Sequence, residues 1–234
     1  MAANYFTPLV GFFSSLVATR YVAPVEMGGV QSAMLLLPYL SLLHFGAFTG
    51  LNRNLAYYLG KGDQAKAMRM VSASAFVAKL NAGLGLLFGF AFFIFQVTLP
   101  EPDLIVLAAG IAVTITLIFT PYVTHISATY RSGQHFKQFA RITWADNGSR
   151  MVYCLLPAVI GWIGYVLSLA FQPVIKFLLL KAKEPYPANE PFVRADLVEL
   201  INVGFPIMAA GYFATILMVA DQSLIALFMG KEQL

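Results

Sequence analysis

The residues VSASAFVAKLNAGLGLLFGFAFFIFQV, at positions 71–97, show what kind of protein this chain forms. A helix that crosses the hydrocarbon layer of a bilayer needs about 20 consecutive, mainly apolar residues, and this run is longer. Its one charged residue is Lys79. Because backbone amide and carbonyl groups cannot stay unpaired in hydrocarbon, the run predicts a membrane-spanning helix.

Comparable apolar stretches occur along the whole chain of 234 residues, of which 59% are hydrophobic and 11% are charged. Soluble domains carry about 25% charged residues. The stretches also lack the alternation over about ten residues that is typical of a membrane β-barrel. We therefore predict an all-α membrane protein with about seven transmembrane helices, the fourth of which is expected to close at Pro121. The predicted spans are residues 4–21, 28–45, 71–97, 103–122, 142–160, 164–180 and 200–228.

The loops between these spans alternate in charge. Ten of the 15 lysines and arginines fall in every second loop, namely Arg53, Lys61, Lys66, Arg69, Arg131, Lys137, Arg141, Lys181, Lys183 and Arg194. Basic loops favour the cytoplasmic side of a membrane, so the N-terminus is predicted to be cytoplasmic. We expect a multi-pass protein of a bacterial or archaeal cytoplasmic membrane. The pI near 9.2 then reflects loops that face anionic lipid headgroups, and it does not indicate a nucleic-acid partner.

Three prolines mark residues 182–197 as a cytoplasmic linker, because no span can pass through them. Residues 1–181, which precede the linker, are predicted to form a six-helix transmembrane lobe. Residues 198–234, which follow it, are predicted to form the first helix of a truncated second lobe. The first apolar stretch is short and the last span stands alone. We therefore expect the chain to be a fragment that begins inside its first membrane helix.

Polar residues within the spans are the candidates for a substrate site. Asp146 and Arg150 are four residues apart in the fifth span, so they are expected to pair within one helix. Gln172 and Lys176 form a second polar face on the sixth span. Together these two faces predict a hydrated cavity that is open to the cytoplasm, and its positive charge suits a phosphate or diphosphate group. A structural ion pair and helix–helix hydrogen bonds are the alternatives.

Other polar residues in the spans are open to two interpretations each. Lys79 and Asn81 lie beside a stripe of small residues in the third span, where the lysine either faces the protein or extends to the cytoplasmic headgroups. Pro206 is expected to kink the last span. Asp221 either serves a cation or proton, or pairs with Arg20.

The sequence contains no motif for nucleotide binding and no spacing of histidines that is typical of a metal site. Its one cysteine, Cys154, excludes an internal disulfide. We therefore expect no cofactor, no metal ion and no catalytic residue, which means that the chain is not predicted to be an enzyme.

The segment GLNRNLAYYLGKGDQAKA, at residues 50–67, resembles the polysaccharide flippases of the multidrug/oligosaccharidyl-lipid/polysaccharide exporter superfamily. In that family a glycine is followed by a short amphipathic helix, a Gly-x-Gly-Asp-like turn and a basic helix start. Ala18-Thr-Arg20 followed by Glu26-Met-Gly28 is also similar, as is Gly204-Phe-Pro206 with Asp221. The residues that match motif positions of the family are Arg20, Arg53 and Asp221, of which Arg53 is a further candidate for substrate binding and the other two are candidates for structure or coupling.

The resemblance implies two lobes of six helices around a central cavity that opens to either side of the membrane in turn. This chain would cover the first lobe and the first helix of the second. The implied activity is the flipping of an undecaprenyl-diphosphate-linked oligosaccharide, or a related polysaccharide precursor, for envelope assembly. Its partners would be this anionic lipid-linked glycan and membrane lipids, and the coupling ion is open between proton and sodium.

Two other functions remain as alternatives. A cation-coupled multidrug exporter of the same superfamily would favour an acidic cavity lined by aromatic residues, whereas the charges in these spans are mostly basic. A membrane-embedded enzyme of envelope synthesis would need clustered acids or histidines at a membrane face.

Overall fold

The structure, a computed structural model, describes residues 2–100 and 103–228, and for residues 2–5, 36, 41, 214–219 and 221–228 it describes the backbone alone. Nine α-helices and a short 3-10 helix, Ser41–His44, form in these ranges, and no strand does. The α-helices are α1 Ala2–Tyr21, α2 Pro24–Met34, α3 Leu36–Leu40, α4 Ala47–Lys61, α5 Gln64–Val97, α6 Leu104–Ser132, α7 Phe136–Tyr153, α8 Leu156–Lys181 and α9 Arg194–Phe228.

Four helices are long and apolar enough to cross a membrane, namely Gln64–Val97, Leu104–Ser132, Leu156–Lys181 and Arg194–Phe213. A fifth crossing results if Pro24–His44 and Ala47–Lys61, which meet at 46°, are one broken span. The described part of the chain is therefore an all-helical protein with four or five helices of this kind. The helix α7, which overlaps the predicted fifth span, falls outside the group because charged residues interrupt its apolar surface.

The predicted second span, residues 28–45, is not one continuous helix. The helix α2 ends at Met34, α3 carries Pro38, and the 3-10 helix ends at His44. Phe45 and Gly46 then adopt left-handed backbone angles, with φ of 46° and 79°. Proline lacks the backbone donor that continues a helix, and glycine tolerates the positive φ, so these two residue types break the span into short pieces.

Pro121 does not close the fourth span, and that prediction was wrong. The helix α6 continues through the proline to Ser132. It packs along α5, where Gly85 and Gly89 let the two backbones approach, and a Cβ on Gly89 would overlap with the side chain of Thr114. Packing along the whole length therefore outweighs the single hydrogen bond that the proline removes, as is common in membrane helices.

Two long helices begin earlier than the apolar runs predict. The helix α5 begins at Gln64, where Asp63 caps it by accepting a hydrogen bond from the backbone of Lys66 at 3.0 Å. Gly62 ends α4 in the left-handed conformation, with φ of 82°, which confirms the predicted turn at residues 60–63. The helix α9 begins at Arg194, so the predicted linker 182–197 ends at residue 193 and the predicted boundary lies inside α9.

The helices α7 and α8 form a hairpin. Ile160 and Gly161 leave the helical conformation within the range of α8. A Cβ on Gly164 would overlap with the carbonyl of Leu156, eight residues earlier. In a straight helix these residues would be about 12 Å apart. The chain therefore reverses here, at the short loop 161–163 that the sequence predicts.

The three basic loops lie at the same end of the bundle, as their alternation along the chain requires. The segment 182–193 packs across this end: the ring of Tyr186 lies 5.6 Å from that of His135, and the ring of Phe192 lies 4.4 Å from that of Phe76. Its Glu190 amide donates to the hydroxyl of Ser72 at 3.2 Å. The segment is therefore an ordered strap, and it leads directly into α9.

Candidate functional site

A polar cavity of about 170 Å³ lies between α1, α2, α7 and α8. This volume is room for about five water molecules at ~30 Å³ each. The hairpin positions its two polar walls, because the reversal at residues 160–161 aligns the second half of α7 with the part of α8 that follows residue 161. The polar side chains that line it are Ser14, Ser15, Gln31, Arg150, Tyr153, Tyr165, Ser168 and Gln172.

Arg150 is the charged residue of the cavity wall. Its side chain is half-buried, and the nearest atom to a Cβ built on Gly11 would be Nη2 of Arg150, at 3.9 Å. The guanidinium therefore lies beside α1 near Gly11, at a distance that even a Cβ at this position would tolerate. Gln172 lies on the facing helix, where its amide lines the same cavity.

Asp146 lies one turn before Arg150 and pairs with the neighbouring helix. Its Oδ2 is 3.6 Å from Nζ of Lys176 on α8, and the residue is 8% exposed. The pair predicted within α7, between Asp146 and Arg150, is therefore replaced by an ion pair between helices. The hairpin is the physical reason, since it brings Lys176 opposite Asp146 and leaves Arg150 to the cavity.

Two buried oxygen atoms near the cavity have no hydrogen-bond partner among the described residues. One is Oδ1 of Asp146 and the other is the hydroxyl of Tyr153. Asn147, beside the aspartate, donates from Nδ2 to the hydroxyl of Thr7 at 3.0 Å and so holds α7 against α1. The site thus combines two cations, one carboxylate and several neutral polar groups, and its charge excess favours an anion.

No protein-family profile, curated protein or solved structure shows significant similarity to this chain.

The structure brings together Asp146, Arg150, Gln172 and Lys176, but it separates the other predicted site residues from them. Lys79 and Arg53 are exposed on α5 and α4, so neither lines the cavity. Lys79 borders the small-residue stripe, but the stripe packs against α6 and the lysine points outward. Asn81 lines a different cavity, and its Oδ1 has no partner within the described residues.

The remaining predicted residues lie toward the ends of the bundle or outside the described side chains. Arg20 is exposed at the end of α1, and Pro206 is exposed within α9, which continues through it. The side chain of Asp221 lies outside the described residues, so its pairing with Arg20 stays a prediction. Among the described residues, no group of three or more His, Cys, Asp or Glu side chains could hold a metal ion.

The second cavity, of about 650 Å³, is mainly apolar. It lies between α3, the 3-10 helix, α5, α6 and the middle of α9. Asn81, His44, Tyr212 and three threonines supply polar groups in a wall that is otherwise made mainly of leucine, phenylalanine and proline. Its volume falls within the range of about 300–1,000 Å³ that is typical of pockets for small organic molecules.

An ionic cluster joins the start of α5 to the start of α9. Nζ of Lys66 lies 2.6 Å from Oδ1 of Asp196 and 3.0 Å from Oε2 of Glu199. Nε of Arg69 lies 3.2 Å from Oδ2 of Asp196. The hydroxyl of Tyr58, on α4, donates to Oε1 of Glu199 at 2.6 Å.

From the sequence, Lys66 and Arg69 were assigned to topology alone, and neither Asp196 nor Glu199 was predicted to contact them. The sequence does contain one indication of this cluster. Lys66 and Arg69 are three residues apart at the start of α5, and Asp196 and Glu199 are three residues apart at the start of α9, so each pair lies on one face of its helix. Complementary spacing of this kind does not show which helices meet.

Proposed function

We propose that this chain is part of a membrane transporter that moves an anionic, lipid-linked glycan across a cytoplasmic membrane. The observation that carries this proposal is the cavity between α1, α2, α7 and α8, which Arg150 lines, with the Asp146–Lys176 pair one turn away, so that two cations accompany one carboxylate. Arginine binds phosphate oxygens through its planar fork of donors, and lysine adds a point charge. The resemblance of residues 50–67 to polysaccharide flippases supports the same class of substrate.

In this proposal the chain supplies the first lobe of a two-lobe flippase and the first helix of the second. Six crossings are α1, the broken segment from α2 to the 3-10 helix, α5, α6, α7 and α8, and α9 is the seventh. The helix α4 is the amphipathic helix of the family, on the cytoplasmic surface. Alternating access would then move the lobe that contains α9 relative to the lobe that contains the cavity.

Substrate from the cytoplasm would reach this site past the Asp146–Lys176 pair, because the cavity itself extends toward the predicted outer loops, where Ala18, Met27 and Tyr165 line it. Basic loops favour the cytoplasmic side, and Lys176 lies about one turn before the basic end of α8. The diphosphate group would bind near Arg150 and Lys176, while the polyprenyl tail stays among the lipids outside the bundle. The protein contributes binding and orientation, and no bond is made or broken.

The test is the distribution of lipid-linked glycan between the two leaflets in cells that lack the gene. Loss of the gene should make the glycan accumulate on the cytoplasmic leaflet. The natural gene should restore flipping, whereas Arg150→Gln and Lys176→Gln should not. The matched control is Lys79→Gln, which removes an exposed cation of α5 and should restore flipping fully. An unchanged leaflet distribution in the deletion strain would rule out the proposal.

A cation-coupled multidrug exporter is the second candidate, and the apolar cavity of about 650 Å³ favours it. Its volume and its mostly apolar wall suit an organic compound better than a glycan headgroup. The readout is drug resistance in a host that lacks its own efflux pumps. Resistance that is lost with Asn81→Leu, but kept with Arg150→Gln, would favour this function over glycan flipping.

A further inference from the structure

We propose that the carboxylate of Asp146 accepts a proton and thereby releases Lys176 to an anionic ligand in the polar cavity. This inference rests on the proposed function for the class of ligand, a phosphate or diphosphate group. It adds the coupling ion, a proton, and it names the residue that takes the proton.

The first argument is the incomplete pairing of Asp146. The residue is 8% exposed, and its Oδ1 has no hydrogen-bond partner among the described residues. Its other oxygen lies 3.6 Å from Nζ of Lys176, whereas a hydrogen bond between an ammonium and a carboxylate is about 2.7–2.9 Å long. A buried carboxylate is stable only when it is well paired, so this one is poised to exchange its counter-ion for a proton.

The second argument is the set of groups that face the carboxylate. Lys176 faces it from α8, and Arg150 and Tyr153 are on α7 itself. From α1 comes the hydroxyl of Thr7, which is bound to Asn147 beside the aspartate. On α6, the hydroxyl of Tyr130 donates to the carbonyls of Leu180 and Lys183, near the end of α8, and not to the aspartate. The charged groups facing Asp146 are therefore both cations.

The third argument is the continuity between this pair and the cavity. Arg150 follows Asp146 by one turn of α7, and Gln172 precedes Lys176 by one turn of α8. Both of these neighbours line the cavity. A proton that reaches Oδ1 through the hydrated cavity removes the negative charge of the aspartate, and the net charge of Asp146, Arg150 and Lys176 rises by one.

Proton and anion should consequently bind together. An anion in the cavity draws Lys176 away from Asp146 and thereby favours protonation of the carboxylate. By linkage, protonation raises the affinity for the anion by the same factor. A transporter with such a site would take up one proton with each anionic headgroup.

The experiment measures sulfate binding to the purified chain by calorimetry at about pH 5.5 and at about pH 8. Sulfate imitates a phosphate group but stays a dianion over this range, so its own charge does not change. The natural protein should bind sulfate at least about fivefold more tightly at the lower pH. Asp146→Asn should bind at both pH values with the affinity that the natural protein has at low pH. A pH dependence that survives in Asp146→Asn would overturn the inference.

Variants of Lys176 test the same inference without altering the aspartate, which matters if Asp146→Asn does not fold. Lys176→Gln should bind sulfate weakly at both pH values, and Lys176→Arg should retain the pH dependence. Lys79→Gln, an exposed cation on α5, is the matched control and should behave like the natural protein. Equal affinity in the natural protein and Lys176→Gln would also overturn the inference.

The two proposals can fail separately. If the deletion strain shows a normal leaflet distribution while sulfate binding depends on pH through Asp146, the glycan flippase is wrong and the proton-linked anion site stands. If flipping is lost in the deletion strain while sulfate binding does not depend on pH, the flippase stands and the role of Asp146 is wrong.

Discussion

Asp146 and Arg150 are neighbours on one helical face, yet the structure gives them different partners. The aspartate faces Lys176 on α8, at 3.6 Å, while the arginine faces the cavity. An arginine whose charge is not neutralised within its own helix is available to a ligand. Its function therefore depends on the geometry of its donors as well as on its charge.

Replacing Arg150 by lysine separates these two contributions. Lysine keeps the positive charge but loses the planar fork that binds two phosphate oxygens at once. We expect Arg150→Lys to bind sulfate about tenfold more weakly than the natural protein, which corresponds to about 1.4 kcal/mol. Arg150→Gln should bind more weakly still. Calorimetry on the purified variants measures both affinities, and equal binding by Arg150→Lys and the natural protein would show that the fork makes no contact.

Between helices, the contact of α4 with α9 depends on glycine. A Cβ on Gly50 would overlap with the carbonyl of Leu200, and a Cβ on Gly204 would overlap with the carbonyl of Gly46. The two backbones therefore touch, and neither can shift without moving a whole helix. Small residues at such a crossing are typical of membrane helices.

Adding one methyl group at this crossing should separate the helices. Gly204→Ala is expected to destabilise the protein by about 1–3 kcal/mol, because overpacking against backbone atoms cannot be relieved by a change of rotamer. The matched control is Gly60→Ala on α4, where a Cβ would have nothing within 4 Å. This control should be stabilising by about 0.5–1 kcal/mol, since alanine is the better helix former. Thermal unfolding in detergent gives both values.

The ionic cluster between α5 and α9 leads to a second prediction about contacts between helices. The side chain of Asp196 is 3% exposed and contacts Lys66 and Arg69, so removing Lys66 leaves a buried carboxylate with less compensation. Lys66→Met should destabilise the α5–α9 contact by about 1–3 kcal/mol. The control is Lys61→Met, an exposed lysine at the end of α4 that should have little effect.

A charge exchange makes this test specific. Asp196→Lys should be strongly destabilising alone, and the double variant Lys66→Asp with Asp196→Lys should recover part of the loss. A double-mutant cycle built from thermal unfolding measures the coupling. Additive effects of the two substitutions would contradict a direct interaction between these residues.

For the whole molecule, the proposed topology brings all the basic loops to the cytoplasm. The strap 182–193 contacts the α6–α7 turn through Tyr186 and His135, which places those two basic loops at one end of the bundle. The loop of the α7–α8 hairpin, where the chain reverses, lies at the other end of the bundle. A fold with this arrangement exposes the two ends of the bundle to opposite sides of the membrane.

Accessibility of single cysteines tests this arrangement. In a background with Cys154→Ser, Lys137→Cys and Lys183→Cys should react with an impermeant thiol reagent only after the membrane has been permeabilised. Ile163→Cys, in the hairpin loop, should react in intact cells. All three positions are exposed, so access depends on the side of the membrane and not on burial. Labelling of Lys183→Cys in intact cells would reverse the proposed orientation.

The sequence alone determined the features that depend on neighbouring residues. Long apolar runs indicated helices that can cross a membrane, because unpaired backbone groups are costly in hydrocarbon. The turn and helix start at Gly62 and Asp63 were expected from the resemblance of residues 50–67 to the flippase family, and the backbone and capping chemistry that forms them is local. The polar faces of α7 and α8 were also predicted, and four of their residues form the candidate site. The number of crossings and the second lobe stay predictions.

Only the tertiary structure decided which of these residues meet. Lys176 pairs with Asp146 because the chain reverses at residues 160–161, and Lys66 meets Asp196 across 130 positions of sequence. Pro121 lies inside a continuous helix because α5 packs along it. Hydropathy and turn formation depend on residues that are close together in the sequence, whereas an ion pair or a helix crossing depends on how helices that are distant in the sequence pack. That arrangement follows from shape and close contact over the whole bundle.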